Sequence, residues 1–220
     1  MPHTIALIGG TGPEGRGLAT RFALAGHRVI IGSRDPERGL TAGRELAASL
    51  GRDHIDGGGN DTAAAQADIV VVVVPYAAHR ATLEGLREHL AGKIVVDAVV
   101  PMVFDRGPRP VDVAAGSATE EAAEILKDTG ARVLGAFHNL SAEVLLDPAA
   151  TVDADVLVTG ADAEAKQTVM ALAGEFAGVR GLDAGPLRFS RFVEGITILL
   201  VGINGRYKAH AGVQIAGLDH

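Results

Sequence analysis

Six residues near the start of the chain, Gly10, Thr11, Gly12, Pro13, Glu14 and Gly15, spell G-x-G-x-x-G. Between a strand and a helix, this spacing serves diphosphate binding. The first glycine permits a tight turn, the second lets the backbone approach the anion, and the third lets the helix pack on the strand. The helix N-terminus adds free N–H groups and the positive end of its dipole. A purely structural glycine turn would use the same residues, but the strand–loop–helix setting favours a dinucleotide. A second cluster, Ser33-Arg34 with Arg38 one helical turn on, stands where the next strand ends. A carboxylate there would accept from a ribose 2′-OH and suit NAD. A hydroxyl donor and a planar guanidinium suit a 2′-phosphate instead, and Thr11 is placed to reach the same group. The pattern favours NADP. Asp35 is the competing carboxylate if the strand ends one residue later, and the two arginines have the alternative of being ordinary solvated charges.

Two further loops belong at the C-terminal edge of the same sheet, where open α/β folds bind ligands. One carries Val74, Pro75, Tyr76 and His79, the other Val99, Val100 and Pro101. Their apolar residues suit one face of a nicotinamide ring. His79 also reads as a polar residue at a helix start. Phe137-His138-Asn139 closes a later strand and faces the same cleft. There is no Y-x-x-x-K motif, since Tyr207 and Lys208 are adjacent, and no His/Asp/Glu cluster has metal-ligand spacing. His210 and His220 are scattered near the tail and read as solvated. Hydride transfer between two cofactors needs neither metal nor general acid. It needs two rings stacked with reacting carbons ~3–3.5 Å apart in a dry cleft. A reaction of that kind would call for no catalytic side chain and no metal.

These residues need a frame to hold them. The pattern predicts strands over Thr4–Leu7, His27–Ile31, Asp68–Val74, Lys93–Val100 and Arg132–His138. It predicts helices over Glu14–Leu24, Arg38–Leu50, Thr62–Ala67, His79–Leu90 and Thr119–Lys127. The unbroken valines of "DIVVVVVP" read as a strand covered on both faces. The glycine run in "GRDHIDGGGND" reads as a flexible connection, with at most a short strand at its centre. Alternating strands and helices imply an α/β fold, a Rossmann-type doubly wound parallel sheet. Past residue 137 the rhythm changes: a strand, a helix, a strand and turn, then a mostly helical stretch over 187–214 with a strongly apolar segment. We therefore expect a dinucleotide-binding domain over 1–137. A smaller C-terminal α/β domain over 138–220 would complete the cleft and a subunit interface.

Composition narrows the function classes. The chain has 220 residues, 47% hydrophobic and 21% charged, which suits a globular core. A net charge of −7 without a long basic run disfavours nucleic acid and anionic membranes as partners. With no cysteine, thiol nucleophiles, thiolate metal sites and disulfides are excluded. The first apolar run is too short for a signal peptide, and no segment reaches the ~20 apolar residues of a membrane span. A cytoplasmic protein acting on small molecules is the expectation.

Taken in order, "IALIGGTGPEGRGLATRFALAGHRVIIGSRD", "DIVVVVVPYAAH", "KIVVDAVVP", "AFHNLSAE" and "LDAGPLRFSRFVE" resemble the NADP-dependent coenzyme F420 oxidoreductases over nearly the whole chain. The resemblance implies a homodimer that moves a hydride directly between NADP(H) and the deazaflavin F420, with binding groups rather than a catalytic side chain. It implies a 2′-phosphate pocket of Thr11, Ser33, Arg34 and Arg38, and a nicotinamide side of Pro75, His79, Val100 and Pro101. His138, Ser190 and Arg191 fall in segments resembling the deazaflavin side. Tyr76 stands where similar members carry Trp, and Ser141 where they carry Pro. The dinucleotide module also resembles ferric and cupric reductase domains that use NADPH and flavin. Two alternatives stay open: a reductase of a flavin or of a small carbonyl or imine, with His79, Tyr76 or His138 as acid, and a non-catalytic NADP-binding sensor.

Overall fold

The first apolar run forms β1 (Thr4–Ile8), and its side chains already show how the molecule is layered. Ile5 and Leu7 enter one hydrophobic core, and Ala6 and Ile8 enter a second on the opposite face. Successive strand residues point to opposite faces, so an apolar run without alternation demands cover on both sides. The valine run behaves the same way: in β4 (Ile69–Val72), Ile69 and Val71 join the first core and Val70 and Val72 the second. Burying each such side chain contributes ~1.5–3 kcal/mol. The computed structural model describes residues 2–218, so His220 lies outside the described residues.

The remaining elements follow in chain order. They are α1 (Pro13–Leu24), β2 (Arg28–Ser33), α2 (Pro36–Leu50), β3 (Ile55–Gly59), α3 (Asn60–Gln66), then β4 and α4 (Tyr76–Leu86). Next come β5 (Ile94–Asp97), the hairpin β6 (Met102–Phe104) and β7 (Pro108–Pro110), α5 (Ala118–Leu126), β8 (Arg132–Gly135) and α6 (Ala142–Leu146). The chain ends with β9 (Ala154–Gly160), α7 (Ala163–Gly174), β10 (Val179–Gly185) and α8 (Ser190–Tyr207). Eight strands form one sheet in the order β10-β9-β8-β5-β4-β1-β2-β3. All its pairings are parallel except β8 with β9. α1, α2 and α7 cover one face, and α3, α4 and α5 the other. This is the doubly wound Rossmann-type arrangement. The strands beyond residue 137 extend the same sheet.

Several local expectations need correcting, β5 and β8 among them, which stop at Asp97 and Gly135, three residues before the expected ends. The glycine run is not a flexible connection but most of β3, paired with β2 from Val29↔Ile55 to Ser33↔Gly59. It is glycine because α2 lies against it backbone to backbone. A Cβ added at Gly57 would come within 2.0 Å of the Gly39 carbonyl oxygen. The valine strand stops at Val72, two residues early, because the chain turns there into α4. The last helix ends at Tyr207, where Lys208 adopts φ 52. Residues 209–215 then run beside β9, with Asp155 N–H donating to the Val213 carbonyl at 2.7 Å.

One buried cation ties the dinucleotide half to the chain beyond it. Arg21 of α1 is 4% exposed. It donates to the carbonyls of Leu145, Ala150, Val144 and Asp147 at 3.0, 2.8, 2.6 and 2.7 Å. Its fork satisfies the C-terminal carbonyls of the short α6, which that helix cannot bond internally.

Candidate functional site

A cavity of about 850 Å³ opens along the edge where β1, β2, β4 and β5 end. The glycine loop forms its floor. Gly10 N–H donates to Leu7 and Gly32 carbonyls at 3.1 and 3.0 Å, pinning the loop between β1 and β2. Gly15 crosses Gly10 so closely that a Cβ on it would lie 2.4 Å from the Gly10 Cα. Gly12 differs: a Cβ there meets no protein atom within 4 Å. Packing therefore does not require glycine at position 12, and the open space faces the cavity beside the N-terminus of α1. That suits an anion approaching the backbone. The left-handed residue of the loop is Gly9, with φ 75, and its N–H donates to Asn60 Oδ1 at 3.2 Å.

At the end of β2, Asp35 and the Ser33-Arg34 pair are placed differently. Asp35 is the N-cap of α2, accepting from Glu37 N–H at 3.1 Å and Arg38 N–H at 3.4 Å. It does not line the cavity, whereas Ser33, Arg34 and Arg38 do. Ser33 is buried and its Oγ accepts from Asp35 N–H at 3.2 Å, which leaves its own proton free to donate. Arg34 and Arg38 are exposed. Among the described residues, neither side chain makes a hydrogen bond or ion pair. Two cations without protein partners beside Thr11 fit a phosphate dianion.

Of the expected site residues, Thr11, Gly12, Pro13, Glu14, Gly15, Ser33, Arg34, Arg38, Val74, Pro75, Tyr76, Val99, Val100 and His138 share the cavity wall. Gly10, His79, Pro101 and Ser190 do not. Gly10 supports the loop from beneath. Pro101 is buried and accepts from Val111 N–H at 2.8 Å. Ser190 is fully buried, its Oγ 2.6 Å from Thr159 Oγ1. Arg191, next in sequence, is paired with Glu120 at 2.9 Å.

His79 lies behind the wall, closed to solvent. Its Nε2 is 2.6 Å from Asp97 Oδ2 and its Nδ1 3.0 Å from Glu121 Oε2. Burial pulls its pKa down, but hydrogen bonds and charge from Asp97 and Glu121 outweigh that and hold it at about 9. Asp97 Oδ1 in turn accepts from Val99 N–H at 2.9 Å, so this pair shapes the loop that presents Val99 and Val100. Nearby, Glu194 of α8 caps α5, accepting from Ala118 N–H, Thr119 N–H and Thr119 Oγ1 at 2.9, 3.0 and 2.9 Å. Burial, against those hydrogen bonds, lifts it to about 7.

The far side of the cavity is built by the loop after β8. Phe137 holds φ 67, a strained value for a side-chain-bearing residue. Its ring is fixed against Phe22 and Phe176, with centroids 5.6 and 5.9 Å away. His138 follows, 5% exposed, with neither ring nitrogen hydrogen-bonded. Burial pushes its pKa down to about 4, so the ring is neutral near pH 7. Asn139 donates to the Val193 carbonyl at 3.1 Å and Thr197 Oγ1 at 2.9 Å, and Thr197 donates to the His138 carbonyl at 2.9 Å. These bonds fasten the loop to α8.

Asn60 and Thr197 are wall residues that sequence reasoning missed, while Asn139, expected at the cleft, lines it. Thr197 carried a signal, a lone hydroxyl inside an apolar helix. Asn60 carried none strong enough to separate it from ordinary turn residues.

Residues 4–101 match the family described as NADP oxidoreductase, coenzyme F420-dependent. The chain is 42% identical over 99% of its length to an F420-dependent NADP reductase of Methanothermobacter thermautotrophicus, covering 97% of that protein. It is 39% identical over 98% of its length to an F420-dependent NADP reductase of Methanocaldococcus jannaschii, covering 99% of it. A crystal structure of a protein from Arthrobacter sp. FB24 shares the fold with a TM-score of 0.82 and 30% identity, across 96% of this chain and 98% of that one.

Proposed function

Because the chain belongs to the F420-dependent NADP reductase family, we propose that it transfers a hydride between NADP(H) and coenzyme F420 within this cavity. One observation carries this: a single space is lined both by the unpaired Arg34 and Arg38 and by an apolar wall that runs on to His138. The residues fit both groups, and the nicotinamide supplies or receives the hydride that the deazaflavin exchanges. Gly12 and the α1 N-terminus bind the diphosphate. Thr11, Ser33, Arg34 and Arg38 hold the 2′-phosphate. Val74, Pro75, Val99 and Val100 support the nicotinamide side and keep water away. The His138 loop and Thr197 of α8 bound the space left for the second ring.

The three side chains expected as acids for a carbonyl or imine substrate, His138, His79 and Tyr76, support direct transfer instead. An effective general acid titrates near the working pH. His138 sits at about 4, too low to hold a proton at neutrality. His79 holds one but is sealed from the cavity. Tyr76, on the wall, has its phenol pKa raised by burial and by Glu121.

Residues 1–137 serve as the NADP domain in this proposal, and 138–220 complete the second-cofactor side and a homodimer interface. Phe192 and Leu199, seven apart on α8 and each 64% exposed, support the interface. Among the described residues no helix is long and apolar enough to cross a membrane. The net charge of −7 supports a small-molecule enzyme of the cytoplasm without a nucleic-acid partner.

Stopped-flow mixing with NADPH and oxidised F420, with FMN and riboflavin in parallel, tests the proposal. Rapid bleaching of the deazaflavin band is the expected result. Reduction of the flavins with the deazaflavin left untouched would overturn it.

A further inference from the structure

Glu14 is the acidic residue of the glycine loop, and hydride transfer gives its side chain no task. It stands in the first turn of α1, where the helix dipole favours an ionised carboxylate and such groups commonly cap backbone N–H donors. Here the helix has no side-chain cap. Glu14 lines the cavity beside Gly12 and Gly15 and is half-buried as a residue. Its Oε1 is nonetheless closed to solvent and has no hydrogen-bond partner.

Two opposing effects act on this carboxyl, and burial exceeds the dipole: the group is pushed up to about 8. The charged or titratable groups around the same cavity are Arg34 and Arg38 from the β2–α2 turn, Tyr76 from α4, His138, Glu143 from α6 and His210 from the tail. None of them bonds to Glu14 Oε1. On its own helix, Arg16 is engaged with Glu45, and Arg21 with the carbonyls past α6. Among the described residues no cation is hydrogen-bonded or ion-paired to Glu14, so none is in place to offset an ionised carboxylate when a second anion arrives. A dinucleotide diphosphate at the glycine loop is such an anion, and its repulsion acts on the carboxylate but not on the carboxylic acid.

We propose that Glu14 makes cofactor binding proton-linked: the dinucleotide binds the form in which this carboxyl is neutral, drawing one proton from solvent when the free protein has lost it. This rests on the glycine loop holding the diphosphate of NADP(H). No bond of the dinucleotide changes; the proton moves from water to a Glu14 oxygen. More than a pH unit below 8 the acid is almost wholly neutral, so almost nothing is taken up. Above 8, uptake rises toward one proton and affinity falls by up to about tenfold per pH unit. The 2′-phosphate, with a second pKa of about 6, titrates below this window.

Calorimetric titration of NADP⁺ into the full-length protein at pH 7.0 and 9.0, each in two buffers of different ionisation enthalpy, counts the protons. The wild type is expected to take up almost none at pH 7.0 and close to one at pH 9.0, with affinity about tenfold weaker at the higher pH. Glu14→Gln, which imitates the neutral acid, is expected to lose both the uptake and the weakening. Glu14→Leu provides the same comparison if circular dichroism shows the glutamine variant misfolded. A wild type that binds NADP⁺ at pH 9.0 without proton uptake, or a variant that keeps the uptake, overturns the proposal. Absence of NADP⁺ binding at both pH values overturns the dinucleotide assignment itself, and so separates the two failures.

Discussion

His79 Nε2 and Asp97 Oδ2 face each other across 2.6 Å, and neither side chain is exposed to solvent. Glu121 closes the other side of the ring, 3.0 Å from Nδ1, and is itself held by Arg80 at 2.8 Å. A raised histidine pKa is a stability statement. The folded group titrates at about 9 against 6.5 in the unfolded chain. Between those values the native state holds a proton that the unfolded state has lost. The contribution is thus fully present below pH 6.5 and lost as pH rises through 9, roughly 3 kcal/mol in all. Urea unfolding at pH 6.5, 7.5 and 9 should show this decline. His79→Gln should make that slope shallower, leaving the part due to Glu14 and Glu194, and cost ~3–5 kcal/mol at pH 6.5, because it leaves buried carboxylates unpaired. A wild type equally stable at all three values would contradict the ionic pair.

Among the described residues Arg34 has no hydrogen-bond or ion-pair partner to lose, so its removal should act on ligand alone. Arg34→Ala is expected to cost NADP⁺ binding ~1.5–3 kcal/mol, the usual contribution of a charged hydrogen bond, while leaving NAD⁺ affinity and Tm unchanged. Titration calorimetry with both nucleotides checks this. Equal weakening of the two would remove the 2′-phosphate from Arg34.

Gly12 and Gly15 occupy one motif but answer to different neighbours. Gly15→Ala forces a Cβ into the Gly10 backbone and should lower Tm by several degrees, since overpacking costs ~1–3 kcal/mol. Gly12→Ala meets no protein atom and should melt within a degree of the wild type, yet bind NADP⁺ at least tenfold more weakly. Thermal melts beside titrations separate the effects. A Gly12→Ala protein with normal NADP⁺ affinity would place the diphosphate elsewhere.

The apolar face of α8 predicts an assembly. Phe192→Glu combined with Leu199→Glu should convert a dimer into a 22.6 kDa monomer in sedimentation velocity. A wild type already monomeric at micromolar concentration would leave the exposed face without a second copy to cover it.

The legible parts of this protein were those whose cause is local. The glycine loop, the β-branched run of β4 and the turn carrying Ser33 and Arg34 could each be located from a few neighbouring residues. The cavity indeed brings the glycine loop and both arginines together. What escaped was set by distant neighbours. The glycines of β3 are explained only by α2 lying on them, because glycine alone reads as a turn or flexible link. His79 sits at a helix start in both accounts, but Asp97 and Glu121 decide that it turns inward. Pro101 and Ser190 stand beside the cavity in sequence yet pack behind it. The end of the last helix was invisible because Val213 and Ile215 are hydrogen-bonded to Asp155 of β9, more than fifty positions back.

Arg21 has a consequence for how the cleft operates. Four carbonyl contacts from one guanidinium bolt α1, the helix that carries the glycine loop, to the segment that follows the His138 loop. A hinge about residue 137 that parted the two banks of the cleft would have to break all four of those hydrogen bonds. The bonds are made by the protein alone, so they brace the banks without a ligand. Braced in this way, the cleft would serve two stacked rings as a gauge rather than a jaw.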